Sequence, residues 1–173
     1  MKYLIFLLLS CFIFAKDVYF MPMNGKKAEN KIFYTFTHAH KTIKIIMYTF
    51  TNRKIAKALK IASKHNVKIY IIADEKEAKF NRSVIPNLAA IKNINIYLLH
   101  GKNYKHGGFG KLHAKASIID NKILITGSAN YTYSAFYKNY EYVIFHKNQD
   151  LIKKFNDFFD YLKSKAKPYR LSR

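Results

Sequence analysis

An α/β sandwich, with a mixed β-sheet flanked by helices on both faces, is the fold class this sequence predicts. Three observations predict it. Apolar, β-branched runs such as TIKIIMYTF and VKIYIIA alternate with helix-period stretches such as RKIAKALKIASK. Half of the 173 residues are apolar while glycine and proline number only 6 and 3, so the chain can bury a full core. No repeat or composition break divides residues 16–165, which read as one domain.

The elements follow in order. Residues 1–15 stand outside the fold: Lys2 is a minimal basic start, Tyr3 to Phe14 an apolar run, and Ala15 a small residue before a cut. The run is short of the roughly 20 residues a bilayer span takes, so a signal for export is expected. Retention of the segment, or lipid attachment at Cys11 after Leu8, Leu9 and Ser10, are its alternatives. Export implies a periplasmic, envelope-associated or secreted protein, and cleavage after Ala15 leaves a chain without cysteine. Asp17 to Met21 reads as a strand, ended by Pro22 and Asn24-Gly25. Lys26 to Ala39 reads as a helix with Ala28, Ile32 and Phe36 on one stripe, and Thr42 to Phe50 as a second strand. Asn52 is a good N-cap for a helix to His65, with Ile55, Leu59 and Ala62 inward. Val67 to Ala73 is a third strand closed by Asp74; Ser83 caps a helix through Ile91; Ile94 to Leu99 is a fourth strand. After a loop and a hairpin come a strand from Glu141 to Phe145 and a helix from Asp150 to Lys163. That helix carries Leu151, Ile152, Phe155, Phe158, Phe159 and Leu162 at helical spacing, which reads as core. Residues 166–173 read as a mobile basic tail.

The hairpin, KLHAKASIIDNKILITGSAN from Lys111 to Asn130, holds the chemistry. As a strand it puts Leu112, Ala114, Ala116 and Ile118 on one face and His113, Lys115, Ser117 and Ile119 on the other. Asp120 and Asn121 tolerate the positive φ of a tight reversal. The return strand is apolar on both faces, as a central strand should be, and ends in Gly127-Ser128-Ala129-Asn130, small enough to bring backbone N–H groups to an anion. An imidazole and an ammonium two residues apart, facing a hydroxyl and an amide, make a seat for a phosphodiester.

The spacing H-x-K-x4-D-x6-G-S-x-N, carried by His113, Lys115, Asp120, Gly127, Ser128 and Asn130, resembles the signature of the phospholipase D superfamily without a gap. The resemblance implies that superfamily's α/β sandwich over the whole of residues 16–165. It implies His113 as nucleophile or acid, Lys115 as phosphate ligand and catalytic cation, and Ser128 and Asn130 as further phosphate ligands. Glu141 is placed like the acid that orients the histidine in small bacterial nucleases of the family. Asp120 sits at a turn and Gly127 at a strand end, so both are expected to act on structure. The chemistry needs one neutral imidazole to attack phosphorus and one protonated imidazole to release the leaving oxygen. The chain has one motif, so the resemblance implies a two-fold homodimer whose two His113 residues share one site.

Charge bears on the substrate. Lys and Arg number 31 against 10 acids, for a formal charge of +21, which implies a polyanionic partner, nucleic acid or an anionic membrane surface. The loop Gly101 to Lys111 is neither a P-loop nor a dinucleotide fingerprint. It reads either as a plain surface loop or as a lid with Lys102, Lys105 and Lys111 at an entrance. Tyr104, Phe109, Tyr131 and Tyr133 flank the motif and are candidates to stack on bases, which favours single strands. No metal site is expected around His38 and His40 or His106 and His113, and no cofactor is implied. Size, single motif and charge together resemble the secreted Nuc/NucT type of nuclease, acting on DNA and on RNA as well. A phospholipase acting on anionic lipid is the alternative, and a binding protein without catalysis is the third reading.

Overall fold

The structure, a computed structural model, describes residues 17–170; the segment 1–15, on which the expectations of an export signal and of lipid attachment at Cys11 fall, lies outside the described residues. In chain order the elements are β1 (Asp17–Met21), α1 (Gly25–Thr37), β2 (Thr42–Met47), α2 (Arg53–Lys64), β3 (Lys68–Asp74), α3 (Glu75–Ala78) and α4 (Ile85–Ala89). Then come β4 (Ile94–Leu99), β5 (Ala116–Ile119), β6 (Ile123–Gly127), α5 (Tyr133–Tyr137), β7 (Glu141–His146), α6 (Gln149–Lys165) and β8 (Lys167–Tyr169). The strands form one eight-stranded mixed sheet in the order β1-β7-β6-β5-β2-β3-β4-β8. Only β2, β3 and β4 run parallel. Two of these, IIM of β2 and IYIIAD of β3, are the apolar runs, because a parallel strand is covered on both sides.

Helices cover both faces. Ala28, Ile32 and Phe36 of α1, Ile55, Leu59 and Ala62 of α2, Leu88 of α4 and Phe136 of α5 pack on one face in the larger core. On the other, Ile152, Phe159 and Leu162 of α6 cover Ile46, Ile72, Leu112, Ala116, Ile118 and Leu124. Between α1, α2 and α5 the buried Glu29 carboxylate accepts bonds from Asn52 Nδ2 (2.7 Å), Lys54 Nζ (3.0 Å) and Tyr137 Oη (2.8 Å). Asn52 caps α2 through the Ile55 N–H at 3.0 Å. Among the described residues, no helix is long and apolar enough to cross a membrane.

Three expectations are corrected. The first strand of the hairpin starts at Ala116, not Lys111, because its partner β2 ends one residue after the Ile46–Ala116 pair. Residues 167–169, read as mobile tail, form an edge strand on β4, where Pro168 can forgo a ladder donor. Lys163 Nζ helps hold that edge from over the Tyr70 and Tyr97 rings, at 4.9 and 5.2 Å. The stripe of α6 is only partly core: Phe158 is exposed.

Candidate active site

The topology gathers the chemically able residues at one end of the sheet. There β2, β3 and β6 finish and β5 and β7 begin, so Tyr48, Asp74, His113, Lys115, Ser128, Asn130 and Glu141 converge. In open α/β sheets, crevices at the carboxyl ends of parallel strands are where ligands bind. The segment 111–115 crosses this end as extended chain. Asp74 fixes it: Oδ2 accepts the Leu112 N–H at 3.0 Å, while Oδ1 accepts the N–H groups of Lys76 (3.1 Å) and Glu77 (3.2 Å) and caps α3. On the other side the Thr126 hydroxyl donates to the Lys115 carbonyl at 2.9 Å.

Lys115 is only 9 % exposed. Its Nζ donates to the His113 carbonyl at 2.6 Å and lies 3.1 Å from His113 Nδ1. Burial lowers the ammonium's pKa, against the pull of Glu141. The His113 imidazole is pushed below its ordinary value, first by burial and then by Lys115 and Lys111, while Asp74 and Glu141 pull the other way. The neutral imidazole is therefore favoured. The Tyr48 ring packs on it with 4.7 Å between centroids, and the ammonium groups of Lys111 and Lys115 lie 5.4 and 5.6 Å from that ring. A hydrogen bond with Tyr48 raises the pKa of Lys111. Ser128 is committed: its hydroxyl donates to Glu141 Oε2 and accepts the Tyr142 N–H at 3.1 Å. Asn130 Oδ1 accepts the Thr49 N–H at 3.3 Å, which turns its NH2 group away from that contact. A cleft of about 590 Å³ opens beside these groups, with His113, Lys115 and Ser128 on one wall and Leu151, Lys154, Phe155 and Phe158 of α6 on the other.

Residues 32–163 match the family described as cardiolipin synthase, PLD-like domain. The chain belongs to the phospholipase D family. NucT from Helicobacter pylori superposes with a TM-score of 0.87 at 29% identity, over 90% of this chain and 99% of that one. Nuc from Salmonella typhimurium, a phospholipase D family member, does so with 0.75 at 25% identity, over 91% and 99%. The mitochondrial cardiolipin hydrolase of Chlamydomonas reinhardtii is 30% identical over 124 residues, 72% of this chain and 52% of that protein. That of Canis lupus familiaris is 22% identical over 145 residues, 84% and 54%. The chain spans about half the length of the curated relatives it matches.

At this end of the sheet the motif residues divide. His113, Lys115, Ser128, Asn130 and Glu141 meet at the cleft end. Asp120 lies at the far end of β5, about 16 Å from Lys115 at roughly 3.3 Å per residue. There it accepts the N–H groups of His40, Lys41 and Thr42, each at 2.8 Å, and with Asn121 it turns the hairpin at φ 52° and 55°. Gly127 is required by a close approach: a Cβ there would stand 2.1 Å from the Tyr142 carbonyl oxygen. The Ser128 N–H donates to that same carbonyl at 3.1 Å, so it is not available to an anion as the sequence suggested.

Among the surrounding candidates, Tyr131 is corrected: it is buried in the larger core and bonds Ser117 Oγ at 2.7 Å, so it cannot stack on a base. Tyr133 is exposed but stacks on Tyr137 within α5 at 4.8 Å. Lys102, Tyr104, Lys105 and Phe109 lie on a loop closed on itself by Gly101–Gly110 and Gly110–Lys102 backbone bonds of 2.7 and 2.9 Å. Phe109 packs on His100 there, at 4.3 Å between centroids. Of the loop lysines, Lys111 is the one joined to the site, through Tyr48. Sequence reasoning missed Tyr48, Asp74, Thr126 and Lys154. A signal existed for Asp74, the polar residue that ends the apolar parallel strand β3; Tyr48 follows directly on β2.

Proposed function

We propose that this protein is a metal-independent phosphodiesterase that cleaves nucleic acid, with DNA and single strands preferred and RNA also accepted. The observation that carries this reading is His113 with the ammonium of a buried Lys115 3.1 Å from its Nδ1, at the end of an open cleft. His113 attacks phosphorus and a P–Nε2 bond forms as the P–O bond to the leaving group breaks. The imidazolium of a second chain protonates the leaving oxygen. Water, deprotonated by that second imidazole, then attacks phosphorus and releases His113. Lys115 and the Asn130 amide hold the non-bridging oxygens, and fixed ammonium charge does the work a metal would otherwise do. The Lys115 contact at Nδ1 places the resting proton on Nε2; a phosphate oxygen that draws Nζ away frees Nδ1 to take it. Glu141, held by Ser128, is the acid that stabilises the charged ring.

The charge of +21 favours nucleic acid, because a phosphate chain rewards many cations at once. A lipid reading has its own support in the apolar wall of Leu151, Phe155 and Phe158 and in the cardiolipin hydrolase relatives. Exposing single-stranded DNA, double-stranded DNA, RNA and anionic phospholipid vesicles to the protein and to His113→Ala, with excess chelator, separates the two. We expect strand cleavage that the substitution lowers by about a thousandfold or more. Vesicle turnover without strand cleavage would establish the lipid reading, and binding without turnover of either would leave a non-catalytic protein.

A further inference from the structure

A second cleft, of about 540 Å³, lies between α2 and α4 and is rimmed by Arg53, Lys57, Lys60 and Arg82 with Asn81 and Asn87. No acid lines it, and among the described residues none of the four cations is ion-paired. Arg53, Lys57 and Lys60 follow one another at helical spacing on the exposed side of α2, spanning about 10 Å at 1.5 Å per residue. Unpaired like charges so close repel one another, so the arrangement costs the free protein stability and is relieved by an anion.

Both lips of this cleft are tied to the active-site end of the sheet. The Thr51 and Asn52 N–H groups, just before Arg53, both donate to the Tyr131 carbonyl at 2.9 Å, one residue beyond Asn130. Opposite, the Val84 N–H donates to the Phe50 carbonyl at 3.0 Å, two residues beyond the Tyr48 that packs on His113. The basic rim therefore begins where the catalytic residues end and leads away along α2.

We propose that the α2/α4 cleft is a second phosphate-binding track, which holds the backbone of a single-stranded nucleic acid several nucleotides from the bond being cut. This rests on the nuclease reading of the catalytic site. The four cations grip successive phosphates, Asn81 and Asn87 supply neutral donors, and affinity grows with strand length until the track is filled.

The test compares the full protein with a variant carrying Arg53→Gln, Lys57→Gln, Lys60→Gln and Arg82→Gln, on a long single strand and on a trinucleotide. The expected result is that the wild type's lower KM for the long strand is lost, with the KM ratio of short to long falling about tenfold. The slope of log KM against log salt for the long strand should flatten by about 3, since each single-strand phosphate contact contributes about 0.7. A matched variant, Lys64→Gln, Lys68→Gln, Lys92→Gln and Lys147→Gln, removes the same charge outside the cleft and should keep the ratio. Equal loss in both quadruple variants would overturn the track in favour of bulk charge, and so would an unchanged ratio in the first. A wild type that cuts neither strand and turns over vesicles would instead remove the nuclease reading beneath it.

Discussion

His113 lies among two carboxylates and two ammonium groups, and burial with the cations outweighs Asp74 and Glu141. The sign follows. Each nearby cation makes the imidazolium less favourable, so the ring holds its proton only at a pH below the ordinary 6.5, and the base needed for attack is available above that point. Lys111→Gln removes one cation from a position that need not touch substrate phosphate. The His113 ring resonance, followed by NMR, should then titrate at higher pH than in the wild type, and the acid limb of kcat/KM should move the same way. A midpoint that stays put or falls would mean that Lys111 does not bias the ring. The same residues show how far a sequence reports chemistry. The H-x-K pair and Asn130 were legible because their spacing is a signature. The signature alone did not separate Asp120 from residues at the cleft; its turn position did, and it folds a turn at the other end of β5. Nor could ring type tell Tyr131, buried against Phe50 and Phe36, from a ring available to a base.

At the scale of elements, legibility follows length. α1, α2 and α6 run 13, 12 and 17 residues, long enough for an apolar stripe to repeat, and all three were readable. α3, α5 and β8, with 4, 5 and 3 residues, show no period; they exist because Asp74 and Thr132 cap the first two and the free edge of β4 accepts the third. What binds the helical layer is equally invisible in a periodic pattern. Glu29 is 6 % exposed in the middle of α1, where an acid is expected to face water. Against the penalty of burial, bonds from Asn52, Lys54 and Tyr137 hold its carboxyl below the usual range, and burial with Glu29 pushes the Tyr137 hydroxyl up to about 12. One carboxylate thus joins α1, the cap of α2 and α5. Glu29→Leu would strand the Asn52 amide and the Tyr137 hydroxyl, at a cost of about 2–4 kcal/mol. The urea midpoint should fall accordingly with the slope unchanged. A midpoint within experimental error of the wild type would show that the network contributes nothing net.

At the scale of the molecule, the sheet is not fully covered by the described residues. α6 covers its middle, yet at the β1/β7 end Val18, Phe20 and Tyr142 point to the same side and stand 41%, 54% and 44% exposed, with Phe20 and Tyr142 paired across the strands. The strip lies next to Glu141 and Ser128, and so borders the cleft that holds a single imidazole. The two-step displacement proposed above needs a second imidazole, which another copy would bring if it buried this strip against its own about a two-fold axis. Each copy carries a formal charge of +21, so such pairing would have to overcome repulsion, which an apolar contact beside a basic cleft would offset. Salt should therefore strengthen the pair while it weakens hold on a nucleic acid strand. Phe20→Glu should move the protein from dimer to monomer in sedimentation and abolish turnover with the circular dichroism spectrum retained. Subunit mixing tests the sharing of the site more directly. If every site needs His113 from both chains, activity of wild type mixed with His113→Ala follows the square of the wild-type fraction, leaving about a quarter at equal amounts where independent chains would leave about a half. A linear dependence on that fraction, or a fully active Phe20→Glu monomer, would mean that one imidazole suffices and that this strip serves some other contact.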